Sequence, residues 1–143
     1  YILHALNFYS EQNIHIENIV VLQPTSPLRH ASDITNAIDL FSNKKSETLI
    51  SVYEEHTLNN KIMYKQEGEY GIPMDNAHNA GLRRQDDVGF LVRNGAIYIC
   101  NVNFFKNTGK LVSNKPLIYL MPKHRSVNID THDDLIVAEK LLS

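Results

Sequence analysis

The sequence predicts an α/β domain, and three observations predict it. Ile19 to Leu22 is a β-branched and aliphatic run, the composition of a strand buried on both faces of a parallel sheet. Ile34, Ala37, Ile38 and Phe41 recur at i, i+3, i+4 and i+7, which is one face of a helix. Thr48 to Tyr53 then alternates toward a second strand. Strand, helix and strand make a crossover of nearly invariant right hand, with strand ends at a common edge. Open α/β sheets bind their ligands at such an edge.

In chain order, Ile2, Ala5, Leu6 and Tyr9 predict a helix from about Tyr1 to Glu11, because their spacing puts them on one face. That face appears before any strand it could cover, so the reading expects further sequence of the same fold upstream. At the end of the first strand stands Gln23, followed by Pro24-Thr25-Ser26-Pro27. The two prolines fix two φ angles and bias Gln23 and Ser26 away from helical geometry. The side chains of Gln23, Thr25, Ser26 and Arg29 can therefore be held with little entropy to lose. The alternative is a rigid connection whose hydroxyls cap the next helix. That helix is expected to start at Ser32 as N-cap, with Asp33 in its first turn, and Asn43 to Ser46 is its exit loop.

Lys61 to Lys65 is expected to turn through Gln66-Glu67-Gly68-Glu69 into Tyr70 to Pro73 as a hairpin. Asp75 to Gly81 is polar, and the mixed charges of Leu82 to Asp87 read, on composition alone, as a solvated loop. Gly95 to Cys100 alternates as a strand, Val102 to Asn107 is a short helix, and Leu117 to Met121 is a last strand. Asn107-Thr108-Gly109-Lys110 lacks the second glycine and flanking strand of a phosphate loop and reads as a turn. Thr131 caps a final helix with Asp133 and Asp134 in its first turn and Leu135, Ala138, Leu141 and Leu142 as its stripe. Before it, alternation puts Asn128 and Asp130 on one face of an extended segment, the spacing by which two oxygens can meet one cation. The alternative leaves Asp130 as part of the helix cap.

A chain of 143 residues, 43% hydrophobic and 21% charged, suits one soluble domain. Fourteen basic against sixteen acidic residues give a net charge of -2, so no global field draws it to nucleic acid or to an anionic membrane. Cys100 is the single cysteine, which excludes an intrachain disulfide and fits a buried residue in a reducing compartment. With no apolar run long enough to span a bilayer and no signal-like start, the expectation is a cytoplasmic protein. The seven histidines show no zinc-ligand spacing, and no serine has the glycines of a nucleophile elbow.

Leu22-Gln23-Pro24-Thr25-Ser26-Pro27-Leu28-Arg29, Arg84-Gln85 and Asn94-Gly95-Ala96-Ile97-Tyr98 together resemble motifs of the CMP-N-acylneuraminate synthetases, enzymes that join CTP to a sialic-acid-type sugar. The resemblance runs from Leu22 to Leu142. It implies a Rossmann-like nucleotide-diphosphosugar-transferase sheet, of which the chain 1–143 holds roughly the carboxyl-terminal three-fifths. The first strand and the glycine- and lysine-containing loop that hold CTP in the family have no counterpart here, and the chain alone is expected to be inactive. The stretch 54–92 would project from the sheet and serve dimerisation, an arginine like Arg84 reaching the partner's site in a homodimer. Gln23, Thr25, Ser26, Arg29, Arg84, Gln85, Asn94, Gly95 and Ala96 would form the substrate site. Within it, arginine suits a carboxylate and the amides suit hydroxyls.

The family has Asp-Ile-Asp where this chain has Asn128-Ile129-Asp130, each carboxylate there associated with Mg2+. Asp130 is then the expected catalytic and metal residue, and Asn128 a neutral second ligand of a weaker metal site. Where the family often has Leu-Pro and an aromatic after Arg-Gln, this chain has Asp87-Val88 and Leu91. The implied reaction is attack of the sugar's anomeric hydroxyl on the α-phosphorus of CTP, with release of pyrophosphate. Two alternatives stand beside it: a nucleotidyltransferase for another acidic sugar, and a non-catalytic sugar-binding or dimerisation fragment, which Asn128 favours.

Overall fold

The computed structural model describes residues 1–57, 60–80 and 89–142. In chain order its elements are α1 (Ile2–Glu11), β1 (Asn18–Val21), α2 (Ala31–Lys44), β2 (Thr48–Glu55), β3 (Tyr64–Glu67), β4 (Tyr70–Pro73), β5 (Phe90–Asn101), α3 (Val102–Thr108), β6 (Leu117–Leu120) and α4 (His132–Leu142). Four strands form one mixed sheet in the order β1-β5-β2-β6. β5 runs antiparallel to both neighbours, and β2 pairs parallel with β6. The α/β class expected from the sequence is therefore present, with α-helices before β1, between β1 and β2, and on either side of β6, while β2 to β5 follow one another without one among the described residues.

Two details of the expected crossover are corrected. β1 and β2 are parallel to one another but not adjacent, because β5 inserts between them. Nor is β1 buried on both faces: its residues are exposed or half-buried, and it pairs antiparallel with β5 at the sheet's edge among the described residues. An aliphatic run reports affinity for a sheet, not the position within it. The apolar side of α1 faces β1 across a groove of about 360 Å³ lined by Ile2, Leu6 and Tyr9 with Ile19 and Val21.

α2 covers one face of the sheet, where Ala37 and Phe41 pack with Leu49, Ile97, Ile99 and Met121 in the core. Ile38, expected on that face, is 39% exposed. The helix starts two residues earlier than Ser32 suggested. His30 is its N-cap, and its backbone N–H donates to the Asp33 carboxylate at 2.8 Å. Asp33 thus takes the N3 place of a capping box while facing inward.

The expected hairpin forms, but its first strand is Tyr64–Glu67 and not Lys61 to Lys65, since Asn60–Ile62 makes a 3-10 turn; Glu67 lies opposite Tyr70 and Gly68 is in the left-handed region at φ +61°. A two-residue loop requires such a conformation. β2 continues to Glu55 and β5 begins at Phe90, so both ends of the stretch 54–92 belong to the main sheet. β3 and β4 make a sheet of their own. Gly109 at φ +67° closes α3, which settles Asn107 to Lys110 as a helix end. Thr131 and Asp134 cap α4 reciprocally: Asp134 accepts from the Thr131 N–H at 2.8 Å, and its own N–H donates to the Thr131 hydroxyl at 3.3 Å. Hydrogen bonds from the Thr131 hydroxyl and from the N–H groups of Thr131 and Asp130 hold the Asp134 carboxyl below its ordinary range. Cys100 is buried, and burial pushes its thiol up to about 11. Among the described residues no helix is long and apolar enough to cross a membrane.

Candidate functional site

At the carboxyl ends of β1 and β2 the sheet opens into a cleft of about 410 Å³. Its shape is set by a break in β5. Three residues of β2, Ile50 to Val52, face six of β5, Arg93 to Tyr98. The extra residues bulge out around Asn94-Gly95-Ala96, and a bulge leaves ladder groups without partners. Side chains supply them. The Asn94 amide oxygen accepts from the Ser51 hydroxyl at 2.6 Å and from the Ala96 N–H at 3.1 Å. Its nitrogen donates to the Ser126 hydroxyl at 2.8 Å and lies 3.4 Å from the Met121 sulfur. The Ile97 N–H donates to Ser51 at 2.8 Å.

The proline-stiffened turn is lashed to the same bulge. Ser26, 1% exposed, donates to the Asn94 carbonyl at 3.3 Å. Arg29 donates to the carbonyls of Gln23 at 3.2 Å and Ala96 at 2.8 Å. The Thr25 carbonyl accepts from the Ile129 N–H at 2.8 Å, which ties the segment carrying Asn128 and Asp130 to the turn.

Within this frame Gln23, Asn94, Gly95, Asn128 and Asp130 line one cleft, as the sequence expected. Gly95 adopts φ +75°, and a Cβ built there would lie 2.5 Å from the Gln23 amide oxygen and 3.6 Å from that of Asn128. Two amide oxygens therefore converge where only glycine leaves room. Asn128 donates its amide nitrogen to the Asp130 carboxylate at 2.7 Å, and its oxygen is buried without a hydrogen-bond partner. An orphaned buried acceptor invites a donor or a cation. The Asp130 carboxylate takes no part in capping α4, where Asp134 accepts instead, so it is exposed to a ligand. Among the described residues no group of three or more histidine, cysteine or acidic side chains could hold a metal. One carboxylate and one free amide oxygen still fit Mg2+, which keeps several waters and binds through one or two carboxylates plus substrate phosphates.

The other expected residues divide. Ser26, Arg29 and Ala96 turn into the protein rather than toward the cleft: Ser26 and Arg29 donate to backbone carbonyls, and the Ala96 N–H donates to the Asn94 amide oxygen. Asn94, expected to read hydroxyls, lines the cleft while its amide bonds Ser51, Ser126 and the Ala96 N–H. Arg84 and Gln85 lie outside the described residues. Tyr53, Arg93 and Tyr98 also line the cleft and were missed. A charged residue just before Asn-Gly is the signal that could have pointed to Arg93.

One support lies behind the site. The buried Asp33 carboxylate is clamped by both terminal nitrogens of Arg125, that from Nη2 at 3.1 Å, and accepts from the Tyr119 hydroxyl at 3.2 Å. Burial would raise its pKa, but the hydrogen bonds from Arg125 and the His30 N–H outweigh burial, and it lies below the ordinary carboxylate value.

No family model matches the chain. Curated proteins do. An N-acylneuraminate cytidylyltransferase of Streptococcus agalactiae serotype V is 31% identical over 120 residues, 84% of this chain and 29% of that protein. N-acylneuraminate cytidylyltransferase A of Danio rerio is 30% identical over 138 residues, 96% of this chain and 32% of the relative. The N-acylneuraminate cytidylyltransferase of Escherichia coli O18:K1:H7 is 29% identical over 142 residues, again 96% and 32%. The chain is thus a homologue of the N-acylneuraminate cytidylyltransferases, aligned with a segment that makes up 29–32% of each of these three.

Proposed function

We propose that the intact protein transfers CMP from CTP to a sialic-acid-type nonulosonate and releases pyrophosphate. The observation that carries this reading is the meeting of Gln23 and Asn128 over Gly95 at the strand ends, with Asp130 lining the same cleft, in a chain homologous to enzymes of that name. The anomeric hydroxyl of the sugar attacks the α-phosphorus, the bond to the β-phosphate oxygen breaks, and pyrophosphate departs. Asp130 and the Asn128 amide oxygen are the residues that would hold Mg2+, which supplies charge neutralisation on the phosphates. Gln23 orients a sugar hydroxyl against the floor that Gly95 leaves open. Arg84 and Gln85 complete sugar recognition, Arg84 through the carboxylate and from the partner subunit of a homodimer. Use of CTP is compatible with a cytoplasmic enzyme.

The test is pyrophosphate release by the intact protein from CTP and N-acetylneuraminate. Turnover lost in Asp130→Ala with the fold retained supports the reading; normal turnover in that variant removes Asp130 from it. Arg84→Lys loses the planar fork and should weaken sugar binding about ten- to a hundredfold, while CTP binding stays put. Mixing Arg84→Ala with Asp130→Ala subunits should restore part of the activity if the arginine crosses the interface. Asn128 favours a second reading, a module that binds the sugar without turning it over. Sugar binding by the intact protein without pyrophosphate release would choose it, and turnover with a different acidic sugar would choose another nucleotidyltransferase.

A further inference from the structure

We infer that Arg93 is the anion-holding residue of the cleft, a guanidinium set on the Tyr98 ring to grip a carboxylate or phosphate of the ligand. This rests on the proposed reaction for its choice of ligands. In an unbroken strand residues 93 and 98 would lie on opposite faces, because their separation is odd. The β5 bulge changes that. Arg93 pairs with Val52 and Tyr98 with Ile50, two residues apart on β2 and so on one face. The guanidinium carbon lies 5.8 Å from the centre of the Tyr98 ring.

Arg93 is itself exposed, and three further features single it out as a site. Arg93 has no ion pair among the described residues, where the three ion pairs engage His56, Lys123 and Arg125. It is the one cation among the described residues that line the cleft, which Asp130 also lines. Its neighbour Asn94 is 3% exposed and bonded to Ser51 and Ser126, which fixes the backbone from which Arg93 projects. Stacking uses the face of a guanidinium and leaves its edge donors free for two parallel hydrogen bonds. The cleft then offers an acceptor pair at Asn128 and Asp130 and a donor fork at Arg93, a division of charge suited to an anion whose counter-cation sits on Asp130.

The experiment is calorimetric titration of the intact protein and of Arg93→Ala and Arg93→Lys with CTP, with N-acetylneuraminate and with pyrophosphate, each alone in magnesium buffer. In Arg93→Ala one organic ligand should bind about ten- to a hundredfold more weakly while the other holds. Arg93→Lys should recover only part of the loss, with an unchanged unfolding midpoint. Loss confined to the sugar assigns the carboxylate; loss shared by CTP and pyrophosphate assigns a phosphate. Wild-type affinity of Arg93→Ala for all three would overturn the inference. A wild type that binds pyrophosphate through Arg93 but neither organic ligand would remove the proposed reaction and keep the anion site, and one that binds none of the three overturns both.

Discussion

Arg125 grips the buried Asp33 carboxylate through both terminal nitrogens, joining the first turn of α2 to the turn that feeds Asn128 and Asp130. The two residues lie 92 positions apart, and the pair fixes one end of the segment carrying Asn128 and Asp130 against the helix.

Removing one member of a buried pair strands the other charge. Asp33→Ala should cost about 3 kcal/mol of stability, read by urea unfolding, and Arg125→Ala a similar amount. The folded Asp33 carboxyl titrates below its unfolded value, so its contribution is present above the unfolded carboxylate pKa and fades as pH falls through the folded one. Asp33→Asn should therefore flatten the acid limb of the stability profile. An acid limb identical to wild type would show that the carboxylate carries no such linkage.

Glu55 makes the same test at a second place. The Lys123 ammonium, 2.8 Å away, and hydrogen bonds from the Thr57 hydroxyl and N–H draw its pKa down from 4.5 to about 2. Its stabilisation is complete above pH 4.5 and is lost as pH falls toward 2. Glu55→Gln should leave stability nearly independent of pH across that window at this site, measured as the change in unfolding midpoint between pH 5 and pH 2.5.

Gly95→Ala places a methyl group on the Gln23 amide oxygen and forces φ +75° on a residue with a Cβ. Strain alone should cost about 1 kcal/mol. The larger effect should be on ligand: if Gln23 reads the sugar, displacing it weakens sugar binding more than CTP binding. Equal weakening of both would place the defect in the bulge as a whole.

Asn128→Asp sets two carboxylates where one amide hydrogen bond now stands. Like charges at that distance raise one carboxyl's pKa and favour a divalent cation. The variant should bind Mg2+ without nucleotide several-fold more tightly than wild type, with an affinity that falls below neutral pH, as seen by calorimetry. No change in Mg2+ affinity would mean the 128 side chain does not face the ion.

Much of this was legible in the sequence. Periodicity placed α2, β2, the hairpin and α4, and alternation put Asn128 beside Asp130, where the two side chains meet at 2.7 Å. Local pattern does not carry pairing. Phe90-Leu91-Val92-Arg93 lacks strict alternation, and Asn94-Gly95 reads as a turn, so the amino-terminal half of β5 and its bulge were invisible until β2 lay beside them. The edge position of β1 and the Asp33–Arg125 pair escaped for the same reason, since each depends on residues remote in the chain. Within the cleft, residue types pointed to the right amides but not to their direction: Asn94 turned inward and Gln23 outward.

The Ser51, Asn94 and Ser126 bonds come from three segments that meet only when the sheet is complete. The Ala96 and Ile97 amide hydrogens are held by that network rather than by a strand ladder. They should exchange with deuterium only through global opening, which makes the floor of the cleft a cooperative unit with the core and not a local ornament upon it. A partly unfolded intermediate that keeps α2 and β2 but frees the turn at Ser126 would have no cleft at all.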